Sequence, residues 1–173
     1  MRQKKELKNP RNRVKGNMII VIDVGNTNIV FGLFEEALSK PRPVKMPAER
    51  LIAHWRISTD KFKTADEYGP QLLELFASAG FDPQETSGVV ICSVVPSLLG
   101  TFEQLAGGYF KCKPFVFRTS TDSGMSVLCD NRLEVGTDRI ANAFAVYHLY
   151  KKAAIIIDFG TATTFDVVTS KGA

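Results

Sequence analysis

A chain of 173 residues with 45% apolar residues can bury a sizeable core, which excludes a disordered protein. No apolar run approaches the roughly 18 residues that a membrane-spanning helix needs, so we expect no membrane partner. The net charge of +4 arises in residues 1–17, which hold seven Lys or Arg and one Glu, whereas the remainder carries −2. We interpret residues 1–17 as a basic disordered extension. A basic run without interleaved aromatic residues is a weak signal, so nucleic acid is not expected as a partner.

The cysteines indicate a reducing compartment. The sequence has three cysteines, an odd number, and they show no CxxC spacing: Cys92, Cys112 and Cys129. Because no signal-peptide pattern accompanies them, we expect a cytoplasmic protein with free thiols.

The first two strands are predicted at residues 18–24 and 29–34, where Ile, Val and Phe flank an Asn/Thr turn and indicate a hairpin. After a Pro-containing connection, a third strand covers 51–57. Thr64 and Glu67 form a capping-box pattern that starts a helix, and Gly80 ends it. Further strands are predicted at 89–95 and 114–117, with a helix between them that begins at Pro96.

Residues 119–134 are polar and are expected to form a crossing or a binding loop. A third helix begins at Thr137 and Asp138, followed by strands at 153–157 and 165–168. The last two strands and their turn repeat the pattern of the first two. We therefore predict a basic extension (1–17), an N-terminal domain (18–134) and the start of a second domain of the same type (135–173).

The repeated turns are VIDVGNTNIVFG and IIDFGTATTFDVV. In each, an Asp ends an apolar run (Asp23, Asp158) and a Gly follows two residues later (Gly25, Gly160). Such a turn offers main-chain N–H groups to a phosphate, and its carboxylate is tolerated there when Mg²⁺ or metal-bound water lies between. Two facing turns would hold one nucleotide. For either turn alone, a plain hairpin turn explains the residues equally well.

Three segments resemble the type III pantothenate kinase family, within the actin/hexokinase/acetate-kinase superfamily, in order and spacing. They are MIIVIDVGNTNIVFGLF, VGTDRIANAFAVYHLY and IIDFGTATTFDVV. The resemblance implies an α/β fold with a ribonuclease H-like (actin-like ATPase) domain, a mixed sheet, and the start of a second such domain. It also implies ATP-dependent phosphorylation of pantothenate, the first step of coenzyme A biosynthesis, by a homodimer.

The resemblance also implies roles for individual residues. Asp138 is the proton acceptor, Asp158 binds a monovalent cation (K⁺ or NH₄⁺), and Asp23 holds Mg²⁺ through water. Taken alone, Asp138 is more typical of an acid in a first helical turn behind a Thr cap, and the three motifs together favour the catalytic role. The residues implied to contact ATP are Asp23, Val24, Gly25, Asn26, Thr27, Asn28, Ile29, Val30 and Thr161. Those implied to contact pantothenate are Cys129, Gly136, Thr137, Asp138 and Arg139.

The chain departs from the family pattern before the third helix. The family writes Tyr-x-Asn-Pro where this chain has Cys129 to Arg132, and Ala where it has Thr137. Family members also continue beyond Ala173, so we expect a fragment, a truncated product or a degenerate copy that transfers phosphate poorly and self-associates. A non-catalytic regulatory relative of the same fold and a nucleic-acid-binding module remain alternative readings.

Overall fold

A computed structural model of the chain describes residues 18–36, 50–122, 124–131 and 134–173. The predicted basic extension, the Pro-containing connection and Arg132 lie outside these residues. Within the described ranges, no helix is long and apolar enough to cross a membrane.

The larger sheet is mixed and has the strand order β3-β2-β1-β4-β5. β1 pairs antiparallel with β2 and parallel with β4, while β3 and β5 form the edges. Antiparallel neighbours need only short connections, whereas the parallel strands are joined by crossover helices, α1 and α2. The bounds are β1 Met18–Val24, β2 Asn28–Glu35, β3 Leu51–Ser58, α1 Ala65–Ser78, β4 Thr86–Ser93, α2 Pro96–Tyr109 and β5 Phe115–Phe117.

The core lies between this sheet and the two crossover helices. Alternate residues of β1 point into it, because successive strand side chains face opposite sides of a sheet. Residues at helical spacing on α1 and α2 fill the other side, as their apolar stripes predict. Those of lowest exposure include Ile20, Ile22, Phe31, Tyr68, Leu72, Phe76, Leu98, Phe102 and Leu105.

The ends of α1 confirm the prediction from capping residues. The Glu67 carboxylate accepts hydrogen bonds from the main-chain N–H of Thr64 at 2.8 Å and from its hydroxyl at 3.0 Å. At the other end, Gly80 has a φ of 75°, in the left-handed region that favours glycine. The N–H groups of Gly80 and Phe81 donate back to the last turn, each at 3.0 Å, which forms a Schellman motif.

The remaining elements form a separate layer. α3 (Thr137–Tyr150) packs against a two-stranded antiparallel sheet of β6 (Ala154–Phe159) and β7 (Thr163–Val168), and it also contacts β4. Three residues separate β6 from β7, as three separate β1 from β2. The predicted repeat of the hairpin is therefore present in the structure.

Two local features were misplaced in the prediction and one element was not anticipated, although α3 begins at Thr137 as predicted. β4 begins at Thr86, three residues before the predicted start, and it ends at Ser93 because Val95 is already the N-cap of α2. The N-cap of α3 is Gly136, and Thr137 is its first helical residue. A 3₁₀ turn at Pro83–Glu85 was not anticipated; Asp82 caps it by accepting a hydrogen bond from the Gln84 N–H at 2.9 Å.

The contact between α1 and α2 requires a glycine. Gly69 is buried, and a Cβ atom there would clash with the ring of Tyr109, whose hydroxyl donates to Asp66 at 2.9 Å. We expect Gly69→Ala to lower the free energy of unfolding by about 1–2 kcal/mol, since overpacking outweighs the gain in helix propensity. Gly100→Ala in α2 meets no atom within 4 Å and is the matched control. Urea unfolding should show the control equal to or more stable than the wild type; equal stability of both variants would contradict the close helix contact.

Candidate active site

The first glycine turn lies at the end of the central strand. The N–H of Gly25 donates to the carbonyl of Asn28 at 3.0 Å, which closes the turn. A Cβ atom at Gly25 would lie 2.9 Å from that same carbonyl oxygen, so a larger residue would open the turn. Asp23, the last but one residue of β1, lies beside it and keeps access to solvent, although neighbouring protein atoms surround part of its carboxylate.

The second glycine turn is closed in a similar way and touches the first. The Gly160 N–H donates to the Ala162 carbonyl at 3.1 Å. The hydroxyls of Thr27 and Thr161 are hydrogen-bonded at 2.6 Å, although 134 positions separate them in the chain. The tertiary structure thus brings both predicted phosphate turns to one place.

The carboxylate of Asp23 lies within electrostatic reach of those of Asp138 and Asp158. The pKa of Asp23 is raised above its ordinary value, first by burial among its neighbours and then by repulsion from Asp138 and Asp158. Asn142 donates its amide to Asp158 at 3.2 Å, which orients that carboxylate. The site therefore carries more negative charge than its surroundings compensate, and a cation would relieve the repulsion.

Among the residues that the structure describes, no three His, Cys, Asp or Glu side chains are grouped closely enough to hold a metal directly. A hydrated Mg²⁺ keeps several of its waters and needs only one or two carboxylates together with phosphate oxygens. The predicted water-mediated role of Asp23 is compatible with this arrangement.

Asp138 is held at the first turn of α3. Its Oδ1 accepts a hydrogen bond from the Arg139 N–H at 2.8 Å. A Cβ atom on Gly136 would overlap the Asp138 carboxylate, so glycine at the N-cap leaves the carboxylate its place.

Thr137 ties the start of α3 to the larger sheet. Its hydroxyl donates to the Ser93 carbonyl at 3.0 Å and accepts from the Cys92 thiol at 3.4 Å. Burial raises the pKa of Cys92 to about 11, so the thiol keeps the proton that it donates. Val94, which follows Ser93 in the chain, donates its N–H to the Val24 carbonyl at 3.0 Å. Through these bonds the helix that carries Asp138 is connected to the end of β1.

Arg139 has a structural partner that the sequence did not indicate. Its Nε donates to Asp166 Oδ1 at 2.8 Å, and its Nη2 donates to the same oxygen and to the Phe165 carbonyl at 3.3 Å. Arg139 also lines a cavity of about 410 Å³ between residues 125–129, α3 and β7. Cys129, another predicted substrate contact, lines the same cavity.

The predicted nucleotide contacts differ in accessibility. Val24 and Ile29 are fully buried, so only their main-chain groups can meet a ligand, and Val30 is half-buried. The side chains of Asn26, Thr27, Asn28 and Thr161 are exposed.

Sequence reasoning missed several residues of the site. Asn142 follows Asp138 by four positions and therefore shares its helix face, a spacing that was detectable. Asp166 is an acid within an apolar strand, which was a weaker signal. Thr59, the residue after β3, contacts the first turn, and no local pattern indicated this.

Comparison with known proteins identifies the family. A profile described as type III pantothenate kinase matches residues 19–173. The chain belongs to the type III pantothenate kinase family. A type III pantothenate kinase of Geobacter sulfurreducens is 48% identical over 155 residues, which cover 90% of this chain and 56% of that protein. That of Citrifermentans bemidjiense is 47% identical over 155 residues, with the same two coverages of 90% and 56%. The chain thus spans about half the length of the curated relatives it matches.

A solved structure shares the fold. A reductive activator for a corrinoid, iron-sulfur protein superposes with a TM-score of 0.54 at 10% identity, over 92% of this chain and 30% of that one. At such low identity the likeness concerns the fold alone. It agrees with an α/β fold whose mixed sheet is consistent with the actin-like ATPase fold that this family implies.

The raised pKa of Asp23 gives a test by stability. Its anion is less favourable in the folded chain than in the unfolded chain, so removing the charge should stabilise the fold wherever the carboxyl is ionised. We expect Asp23→Asn to raise the melting temperature at pH 7. The gain in melting temperature should fade as the pH falls through the raised pKa toward the ordinary value of 3.8, because the wild-type carboxyl then takes up a proton and loses its charge.

The matched control is Asp130→Asn, at an exposed carboxylate outside the cluster. Thermal melts at several pH values should show no change for this variant. A lower melting temperature for Asp23→Asn at pH 7 would contradict the repulsion described above.

Proposed function

We propose that this chain carries the phosphate-binding and proton-accepting part of a kinase that phosphorylates pantothenate to 4′-phosphopantothenate, opening coenzyme A biosynthesis. The observation that carries the proposal is the meeting of both glycine turns with Asp138 at one charged site. Membership of the family and the names of the curated relatives support the same substrate.

The two turns would hold the phosphates of ATP. Main-chain N–H groups and the hydroxyls of Thr27 and Thr161 are donors suited to phosphate oxygens. Bound Mg²⁺ would supply charge stabilisation to the transferring phosphoryl group. Asp23 would hold it through water, and Asp158, oriented by Asn142, would take K⁺ or NH₄⁺.

Asp138 would accept the proton of the pantothenate hydroxyl as the γ-phosphoryl is transferred. Its place in the first turn of α3 supports this role, because Gly136 leaves room for the carboxylate and Thr137 ties the turn to β4.

The cavity that Cys129 and Arg139 line is our candidate pantothenate pocket. Its lining includes apolar side chains beside the guanidinium, which suits a ligand with an apolar body and a carboxylate. The Arg139 guanidinium has five N–H donors, and its bonds to Asp166 and Phe165 do not use all of them. It can therefore also donate to that carboxylate. Where the family has Tyr, Cys129 brings no aromatic ring to this pocket, although Phe165 lines it from β7.

We further propose that residues 18–134 form one actin-like domain and residues 135–173 begin a second. The separate sheet of β6 and β7, with its own three-residue turn, supports this division. We propose a cytoplasmic location, which the free thiols of Cys92, Cys112 and Cys129 support.

Asp138→Asn tests the reaction. The change keeps the shape of the side chain and removes the base, so the turnover rate should fall by about a hundredfold or more. ADP release that depends on pantothenate is measured with Mg²⁺ and K⁺, in this chain and in a version extended with the region of the Geobacter sulfurreducens relative that it does not match. The affinity for Mg·ATP should stay within about twofold. Near-normal turnover in the extended variant would rule out the assignment.

We propose that the chain forms a homodimer through the outer face of the second hairpin, formed by β6 and β7. Its side chains form a continuous apolar surface, since Ile155 lies opposite Val167 and Ile157 lies opposite Phe165. An apolar face of this kind marks an interaction site or an aggregation hazard. The exposed fractions are Ile155 70%, Ile157 48%, Phe159 82%, Phe165 63% and Val167 73%.

Light scattering tests this surface. The double variant Ile155→Glu with Val167→Lys replaces a cross-strand apolar pair by an opposite-charge pair, which the hairpin should tolerate. We expect the wild-type chain to form dimers or larger species and the variant to shift toward the monomer. A monomeric wild-type chain at tens of micromolar would contradict the proposal.

A further inference from the structure

The segment after β3 is bonded to the first glycine turn at two points. The N–H of Thr59 donates to the Thr27 carbonyl at 3.0 Å, and the Thr59 hydroxyl donates to the Gly25 carbonyl at 2.7 Å. One residue therefore contacts the turn at both of its ends. Thr59 itself is half-buried, which limits competition from water for these bonds.

The residue next to Thr59 is anchored in the core. Tyr68 of α1 is fully buried, and its ring packs on Phe102 with the centroids 5.1 Å apart. Its hydroxyl donates to the Asp60 carbonyl at 2.8 Å and accepts from the Asp60 N–H at 2.9 Å. Because the ring is held by packing, it sets the position of the main chain at Asp60, and hence that of Thr59.

We propose that Thr59 is a positioning residue for the phosphates of the nucleotide, with Tyr68 as its anchor. Thr59 engages the carbonyls of Gly25 and Thr27, which turns these negative dipoles toward β3 and away from a bound phosphate. The N–H groups of the turn other than that of Gly25, which donates to Asn28, can then serve the ligand. This inference rests on the proposed function in treating the turn as a phosphate site.

We call Thr59, Asp60 and Tyr68 together the clamp. Through Thr27 its effect reaches the second glycine turn. The main chain of Thr27 is bonded to Thr59, while its hydroxyl is bonded to Thr161 of the second turn. A shift of Thr59 would therefore alter the spacing between both turns. Small misplacements are costly in phosphoryl transfer, because positioning supplies much of the catalysis.

Two substitutions at Thr59 separate its hydroxyl from its size. Thr59→Val keeps the shape and removes the donor to Gly25, whereas Thr59→Ser keeps the donor. By isothermal titration with Mg·ADP, we expect the Val variant to bind about five- to tenfold more weakly, as for one lost hydrogen bond. The Ser variant should stay within about twofold of the wild type.

A third variant tests the anchor. Tyr68→Phe removes both bonds to Asp60 and should weaken Mg·ADP by a similar factor. Thr59 and Tyr68 act through one connection. The double variant should therefore bind Mg·ADP no more weakly than whichever single variant has the lower affinity. Additive losses would mean that the two residues act independently and would overturn the clamp.

Glu67→Ala is the control for a purely structural effect. It removes the Glu67 side of the capping box of α1, which costs about 1 kcal/mol of stability, and it leaves Thr59 and Asp60 untouched. Its affinity for Mg·ADP should equal that of the wild type even if its melting temperature falls as far as that of Thr59→Val. An equal loss of affinity in Glu67→Ala, or no loss in Thr59→Val, would refute a positioning role.

The outcome also separates this inference from the proposed function. If Mg·ADP binds and depends on Thr59 as expected while pantothenate is not phosphorylated, the clamp stands and the proposed substrate is wrong. If neither the wild-type chain nor its extended version binds Mg·ADP, both the phosphate site and the clamp are refuted.

Discussion

The central position of β1 is the constraint on which the rest of the structure depends. The strand is hydrogen-bonded to β2 on one side and to β4 on the other, and its alternate side chains are buried beneath α1 and α2. It cannot slip by one residue without turning its apolar side chains out of the core. Asp23 lies in this strand and the turn at Gly25 follows it directly, so the packing of β1 in the core fixes the position of both.

The site is assembled around this strand by a few polar contacts between distant segments. Thr59 holds the turn from the side of β3, and Thr137 holds α3 against the end of β4. Arg139 joins α3 to β7 through Asp166, and Thr161 meets Thr27. Each contact is worth little in net stability, because folding exchanges hydrogen bonds with water for internal ones. Their value lies in the geometry that they impose on the carboxylates and the turns.

The cluster of acids shows why such geometry needs support. Burial and the charges of Asp138 and Asp158 raise the pKa of Asp23, so the folded state is less stable than it would be with a neutral residue there. An arrangement that opposes stability persists only where the surrounding fold holds it. Unfavourable charge of this kind is typical of functional sites, and in a phosphoryl-transfer site it favours the binding of cations.

The sequence by itself determined the order of the elements, the caps of α1, the two acidic turns and the motif that identifies the family. These features rest on residues that are neighbours along the chain, so periodicity and capping rules reach them. The bounds of β4 and the cap of α3 were misplaced, because contacts with β1 and with Ser93 override local preference there. Only the tertiary structure decided that Thr27 meets Thr161, that Arg139 pairs with Asp166, and that Thr59 holds the first glycine turn. These contacts join residues 27 to 134 positions apart, and no local pattern encodes a distance across the fold.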